Sequence, residues 1–133
     1  MDLLIRKMEV EDIDKIMEII ELEGEEWKDY WGCSNSIKYK KALELSITYV
    51  AYEGDELCGY SRSVDDNACE VIVVDLLVTP EHRGKGIGKN FMGCIYDDYP
   101  SKDVYVMSDV DEYYKKQGYE KIGSVFKVTN TNN

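Results

Sequence analysis

Between Val71 and Asn90 the chain reads VIVVDLLVTPEHRGKGIGKN: an apolar run, a proline, and three glycines within five positions. Where a tight turn runs into a helix, successive backbone N–H groups converge and form a cradle for phosphate or pyrophosphate. Gly84, Gly86 and Gly88 would permit the dihedrals and the close approach of a ligand, while Arg83, Lys85 and Lys89 add positive charge. Glycines also serve ordinary helix starts, so the residues leave two readings open, a phosphate-bearing ligand and a structural turn. Two better-defined patterns do not fit. GKGIGKN lacks the spacing of a P-loop and the Ser or Thr after Lys89, and GxGxG is not the dinucleotide fingerprint GxGxxG.

Other side chains invite a chemical reading. Asp75 stands in ACEVIVVDLLV, whose nearly continuous apolar character indicates a strand covered on both faces. A carboxylate there makes a strand-end hydrogen bond, binds a cation or takes up a proton, with Glu70 the fallback for that last role. Trp27, Tyr30 and Trp31 either line a small-ligand pocket or cover a sheet. Tyr113 and Tyr114, read from the residues alone, are packing aromatics on the inward face of a helix. His82 is the single histidine and reads as exposed and non-catalytic. Cys33, Cys58, Cys69 and Cys94 form no CxxC pair and read as buried reduced thiols, Cys33 being the most exposed of them. No metal site is expected.

The elements that must position these groups follow from periodicity. LLIRKM predicts a strand, and VEDIDKIMEIIEL predicts a helix with Ile13, Ile16, Met17 and Ile20 on one face. A second helix runs from about Ser34 to Leu45 with a Ser or Asn cap. SITYVAYEGDELCGYSRSVDD reads as two strands joined at EGDE. Beyond the glycines, Ile87, Phe91, Cys94 and Ile95 share a helical face, and DVYVM is a short strand. SDVDEYYKKQGY predicts a helix with a capping box of Asp109 and Glu112 and a glycine cap at Gly118. YEKIG and SVFKVT read as two final strands, with residues 130–133 frayed. Together they predict one α/β or α+β domain spanning 1–133.

Composition excludes several function classes. A net charge of -11 repels nucleic-acid phosphates and tolerates a cationic substrate. No run approaches the roughly 18 apolar residues of a spanning helix, and MDLLIRKMEVED lacks the layout of a signal peptide. Cytoplasmic residence without membrane association is therefore the default expectation.

With the elements in order, VDLLVTPEHRGKGIGKNFM resembles the acyl-CoA-binding motif of the GNAT N-acetyltransferase superfamily. That motif is a basic or Gln residue, two variable positions, Gly, one variable position, then Gly or Ala; Arg83, Gly86 and Gly88 fill it. YYKKQGY is similar to the family's aromatic-Tyr, three variable residues, Gly-aromatic signature, and IRKMEVEDIDKI resembles its first strand and helix. The resemblance implies a central mixed, mostly antiparallel sheet flanked by helices, with a splayed central strand. It implies acetyl-CoA as cosubstrate, no metal, pantetheine contacts at Leu76, Leu77 and Val78, and pyrophosphate contacts at Arg83, Gly84, Lys85, Gly86, Ile87, Gly88 and Lys89. The reaction implied is acetyl transfer to an amine, of a small molecule or a peptide. In it the Val78 N–H polarises the thioester carbonyl and Tyr114 is the general acid, while the amine's proton goes to Asp75 as general base, to Glu70 as the fallback, or to solvent. A non-catalytic acyl-CoA sensor would use the same cradle, and a homodimer is common among domains of this kind.

Overall fold

The computed structural model describes residues 2–32 and 34–130. A five-stranded sheet runs in sequential order: β1 (Leu3–Lys7), β2 (Ile47–Glu53), β3 (Glu56–Asp65), β4 (Glu70–Val78) and β5 (Asp103–Val106). The first four strands pair antiparallel, and β5 joins parallel to β4. EGDE makes the predicted hairpin, with Gly54 supplying a positive φ of 61° that an L-residue adopts only at a cost.

Helices cover both faces. On one, α1 (Ile13–Leu22) buries Ile13, Ile16, Met17 and Ile20, and α3 (Asn35–Leu45) buries Tyr39 and Leu43, against Val50, Tyr52, Leu57, Tyr60 and Leu77. The one-turn helix α2 (Lys28–Trp31) lies between them, with Trp27, Tyr30 and Trp31 packed on the same core. On the other face α4 (Ile87–Asp98) packs Ile87, Phe91, Met92 and Ile95 on Tyr49, Ala51, Cys58, Val71 and Val73. This is the mixed, mostly antiparallel sheet between helices that the sequence led us to expect, and no described helix is long and apolar enough to cross a membrane.

The feature that matters for function is where β4 and β5 part. They pair only over Glu70–Val73 and Asp103–Val106, and Met107 N–H to Val73 O, 2.9 Å, is the last link. The hydroxyl of Ser108 then accepts the N–H of Val110, turning the chain toward α5 (Asp111–Lys116), while β4 continues on β3 as far as Val78. The splay leaves one side of Asp75–Val78 without a β5 partner.

Four expectations need correction. The helix α5 begins after Val110, which occupies its N-cap, so Asp109 and Glu112 do not form the expected capping box. Its end is as expected: Gly118 has φ 88°, and Gly118 N–H to Lys115 O with Tyr119 N–H to Tyr114 O makes a Schellman closure. Residues 119–130 form no strand. β-propensity needs a neighbouring strand to act on, and here Phe126 and Val128 stay 85% and 93% exposed. Cys69, on the turn before β4, is exposed, whereas Cys58 is buried; Cys33 lies outside the described residues. His82 is buried rather than exposed, as described below.

One polar anchor ties β1 to α1. Asp12 is 3% exposed and takes a bidentate pair from Arg6, 2.8 and 3.0 Å, the Glu9 N–H at 2.7 Å and the Tyr52 hydroxyl at 2.6 Å. Burial alone would raise its pKa, but the hydrogen bonds from Arg6, Tyr52 and Glu9, with the Arg6 charge, outweigh that and hold it down at about 2. A depressed carboxylate stabilises the fold above its unfolded pKa, near ~4, and that contribution is lost as pH falls through about 2. We expect urea unfolding to show about 2 kcal/mol of stability draining between these values. Asp12→Asn should lose a similar amount at neutral pH and flatten that acid limb.

Candidate active site

The glycine turn starts where β4 leaves the sheet. Thr79 N–H still bonds Cys58 O at 2.8 Å; Pro80–His82 makes one 3-10 turn, and Arg83 is extended. Gly84 and Gly86 both have φ of 80°, and a Cβ at either would meet nothing within 4 Å. Their requirement is handedness, and the space around them is open. Gly86 is the N-cap of α4, whose first intrahelical bond is Asn90 N–H to Gly86 O, 3.0 Å, so the amides of Ile87, Gly88 and Lys89 precede it. A left-handed pair of glycines, exposed Lys85 and Lys89 and a helix N-terminus form a cradle that fits a pyrophosphate.

Gly88 has a different reason. A Cβ there would sit 2.7 Å from the Tyr113 hydroxyl and 3.5 Å from Leu76 Cδ2, so its lack of a side chain lets α5 approach α4. Arg83 is held by its neighbours: Nε donates to Val78 O at 2.9 Å, and Nη2 pairs with Glu23 Oε1 at 2.6 Å at the end of α1. His82 is 4% exposed because its Nδ1 bonds the Thr79 hydroxyl, 2.8 Å, inside the same turn, while Nε2 faces Glu56 and Glu53 at 3.7 and 3.9 Å. It braces the turn against the β2–β3 hairpin.

Across the splay lies a polar knot centred on Asp75, which is 5% exposed. Arg62 stands directly opposite it in the β3–β4 register, just before a bulge, and donates from Nε to Oδ2 at 2.6 Å. The Tyr39 hydroxyl of α3 donates to the same oxygen at 2.7 Å, and the Tyr30 hydroxyl of α2 donates to Oδ1 at 2.9 Å. Tyr39 is also 2.7 Å from the hydroxyl of Tyr60, which is fully buried, and the Arg62 guanidinium lies over the Tyr39 ring. Trp27 closes the cluster, 5.5 Å from Tyr30 and 6.5 Å from Tyr60 between ring centroids. Trp31 is turned to another task, donating its Nε1–H to Gly24 O at 3.0 Å.

The phenols of this knot are kept protonated. Burial first, then the Asp75 charge, pushes Tyr30 up to about 12 and Tyr39 well above the ordinary range; burial does the same for Tyr60. Tyr114 is half-buried, edge-on to Tyr113 and stacked with Tyr119, and burial followed by the charges of Tyr113 and Asp109 raises it to about 12. Asp109, released from capping, contributes the smallest of the causes that raise Tyr30 as well. Tyr30 and Asp75 thus lie at the part of β4 that β5 leaves, and Tyr114 stands on α5, the helix that follows β5.

Sequence reasoning named Asp75, Tyr30 and Tyr114, but missed Arg62, Tyr39 and Tyr60. A signal existed: Arg62 is the only basic residue within the long buried strand LCGYSRSV, and a buried guanidinium requires a counter-ion. Glu70 begins β4 at the opposite end of the strand from Val78 and does not join the knot. Among the described residues no His, Cys, Asp and Glu cluster is able to hold a metal.

Comparison with known proteins adds an independent line. A family model described as an acetyltransferase (GNAT) domain matches residues 44–121. The chain is 29% identical over 70 residues to the GCN5-related N-acetyltransferase 2, chloroplastic, of Arabidopsis thaliana, a match covering 49% of this chain and 27% of that protein. It spans 27% to 33% of the length of the plant relatives it matches. Among solved structures, ribosomal-protein-alanine N-acetyltransferase from Brucella melitensis superposes with a TM-score of 0.77 at 16% identity, covering 98% of this chain and 100% of the other. A GNAT-family acetyltransferase from Streptococcus pneumoniae gives 0.69 at 22%, covering 97% and 100%. At such identities the structures report the shared fold.

Two glycines at the site should respond differently to substitution. A Cβ on Gly59 of β3 would lie 2.6 Å from Leu77 O and 3.3 Å from Val78 Cα, both backbone atoms of β4, whereas that on Gly88 meets the movable end of Tyr113. Gly59→Ala should therefore cost about 1–3 kcal/mol in urea unfolding. Gly88→Ala should cost less, and Tyr113→Phe in the same chain should relieve it.

Proposed function

The chain belongs to the GNAT acetyltransferase family, and from that premise we propose that it transfers an acetyl group from acetyl-CoA to an amine. The observation that carries the reading is the continuity of one strand and one turn: the part of β4 that β5 abandons, Leu76–Val78, runs directly into the left-handed glycines and open amides at the start of α4. In this reading the turn from Arg83 to Lys89 holds the pyrophosphate, chiefly through main-chain N–H groups, and Leu76, Leu77 and Val78 present main chain to the pantetheine arm.

The coenzyme supplies an acyl group activated as a thioester. The chain's part is to orient the amine, stabilise developing charge and provide a proton where the thiolate departs. Tyr114 takes the last role. Its phenol, raised to about 12, is protonated throughout the physiological range and so is always a donor. Asp75 is given an anchoring role, with deprotonation of the amine left to solvent. Its carboxylate already accepts three hydrogen bonds, from Tyr30, Tyr39 and Arg62. Trp27 and Tyr30 form the wall beside the acceptor, and the acidic balance of the chain suits a cationic one.

Calorimetric titration with acetyl-CoA should show saturable binding and a matching rise in Tm, the latter set by free ligand over Kd. Gly86→Val, which forces a branched side chain into a left-handed conformation, should abolish it. Tyr114→Phe should bind the coenzyme normally but lower kcat by about a hundredfold toward the best amine of a panel. Binding without transfer by the unmodified protein to any amine would favour a sensor of acyl-CoA, and no binding would refute the proposal.

A further inference from the structure

The knot around Asp75 has a polarity, and the polarity selects the acceptor. A carboxylate ion-paired to a guanidinium only accepts hydrogen bonds, and each phenol has one proton to give. Tyr39 spends its proton on Asp75 Oδ2, so at 2.7 Å from Tyr60 it must be the acceptor and Tyr60 the donor. Tyr30 likewise spends its proton on Oδ1, at 2.9 Å. The order is therefore fixed: Tyr60 to Tyr39 to Asp75 from the core, Arg62 from the neighbouring strand, Tyr30 from the rim.

Of the three phenols, Tyr60 and Tyr39 are buried, whereas Tyr30 is half-buried at the rim beside Trp27. With its only proton committed inward, the Tyr30 oxygen offers the mouth of the splay nothing but lone pairs. We propose that Tyr30 is a specificity-determining residue that reads an N–H donor, the ammonium or amine of an alkylamine acceptor, and that Arg62 is the positioning residue that fixes this polarity through Asp75. A hydrogen-bond acceptor such as a carboxylate finds no partner at Tyr30.

This rests on the amine-acetylating reading above, and the experiment separates the two. At saturating acetyl-CoA, transfer is measured to butylamine, spermidine and a peptide amino terminus. For whichever of these is acetylated best, Tyr30→Phe should raise KM about tenfold to a hundredfold, with kcat within about threefold and coenzyme affinity unchanged. Arg62→Met should raise the same KM, Arg62→Lys should recover part of it, and Tyr30→Phe with Arg62→Met should be no worse than the more severe single variant. An unchanged KM in Tyr30→Phe, or effects that simply multiply in the double variant, would overturn the proposal.

A measurement without turnover covers the case in which Arg62→Met does not fold or no amine is acetylated. In protein labelled with 13C at the tyrosine ζ carbon, the resonance that Tyr30→Phe removes should shift on titration with butylammonium and stay in place with butyrate. Failure to shift with butylammonium refutes the role of Tyr30. A shift without acetylation of any amine refutes the catalytic reading and leaves this one standing.

Discussion

The Arg62–Asp75 pair is the interaction on which the acceptor side of the molecule depends. Both residues sit inside strands, opposite each other across β3 and β4, and neither charge is tolerable there alone. Their mutual burial has a structural consequence beyond neutralisation. An ionised carboxylate with three donors is a rigid junction, and two of its donors come from helices that precede β2. The pair thus fastens α2 and α3 to the far end of the sheet through two tyrosine hydroxyls, while apolar packing by Ile16, Ile20 and Leu43 supplies the bulk of the burial. Removing one partner would leave an uncompensated charge in the core, which costs more than the pair contributes.

The glycine turn, the proposed coenzyme side, is built on a different principle. Its geometry lies in the backbone: two glycines at φ of 80°, a helix N-terminus, and a strand deprived of its neighbour after Val73. Side chains there secure the frame. Arg83, the basic residue of the family motif, is tied to Val78 O and Glu23, and His82 is locked to Thr79. Backbone geometry of this kind tolerates wide variation in side chains outside the glycines, and the same fold is shared with proteins of 16% to 22% identity.

This difference explains what was legible in the amino-acid sequence. The glycine turn, the apolar strand before it and the amphipathic helices are local patterns, and each was found where periodicity put it. The knot was not, because it is made by register. Arg62 and Asp75 are 13 residues apart, Tyr30 lies 45 residues from its partner, and only the β3–β4 pairing with its bulge brings them face to face. His82 was misjudged for a related reason: its turn is polar in sequence, yet the hairpin of β2 and β3 folds over it. Asp109 shows the limit of a local motif. Asp-x-x-Glu has the spacing of a capping box, but the Ser108 hydroxyl catches the Val110 N–H and the helix starts one residue later than that box requires. The final strands failed because alternating Val and Phe residues specify only a readiness to pair.

Separating a backbone-built turn, the proposed donor site, from a side-chain-built knot, the proposed acceptor site, has an energetic corollary. The glycine turn and α4 pack on one face of the sheet, and α2, α3 and the aromatic cluster on the other, so the two cores are joined through the strands that feed both, β2, β3 and β4. Substitutions more than about 7–10 Å apart without common partners act additively. In the proposed reading, changes at Trp27, which makes ring contacts with Tyr30 and Tyr60, alter what is accepted without disturbing how the donor is held. Asp75 is the exception, since it lies on the same strand as Leu76–Val78, one residue from the stretch assigned to the pantetheine arm. A shift of its carboxylate toward solvent would move that stretch with it. The buried donors to Asp75 Oδ2, Arg62 and Tyr39, thereby hold that stretch in place when residues at the rim vary.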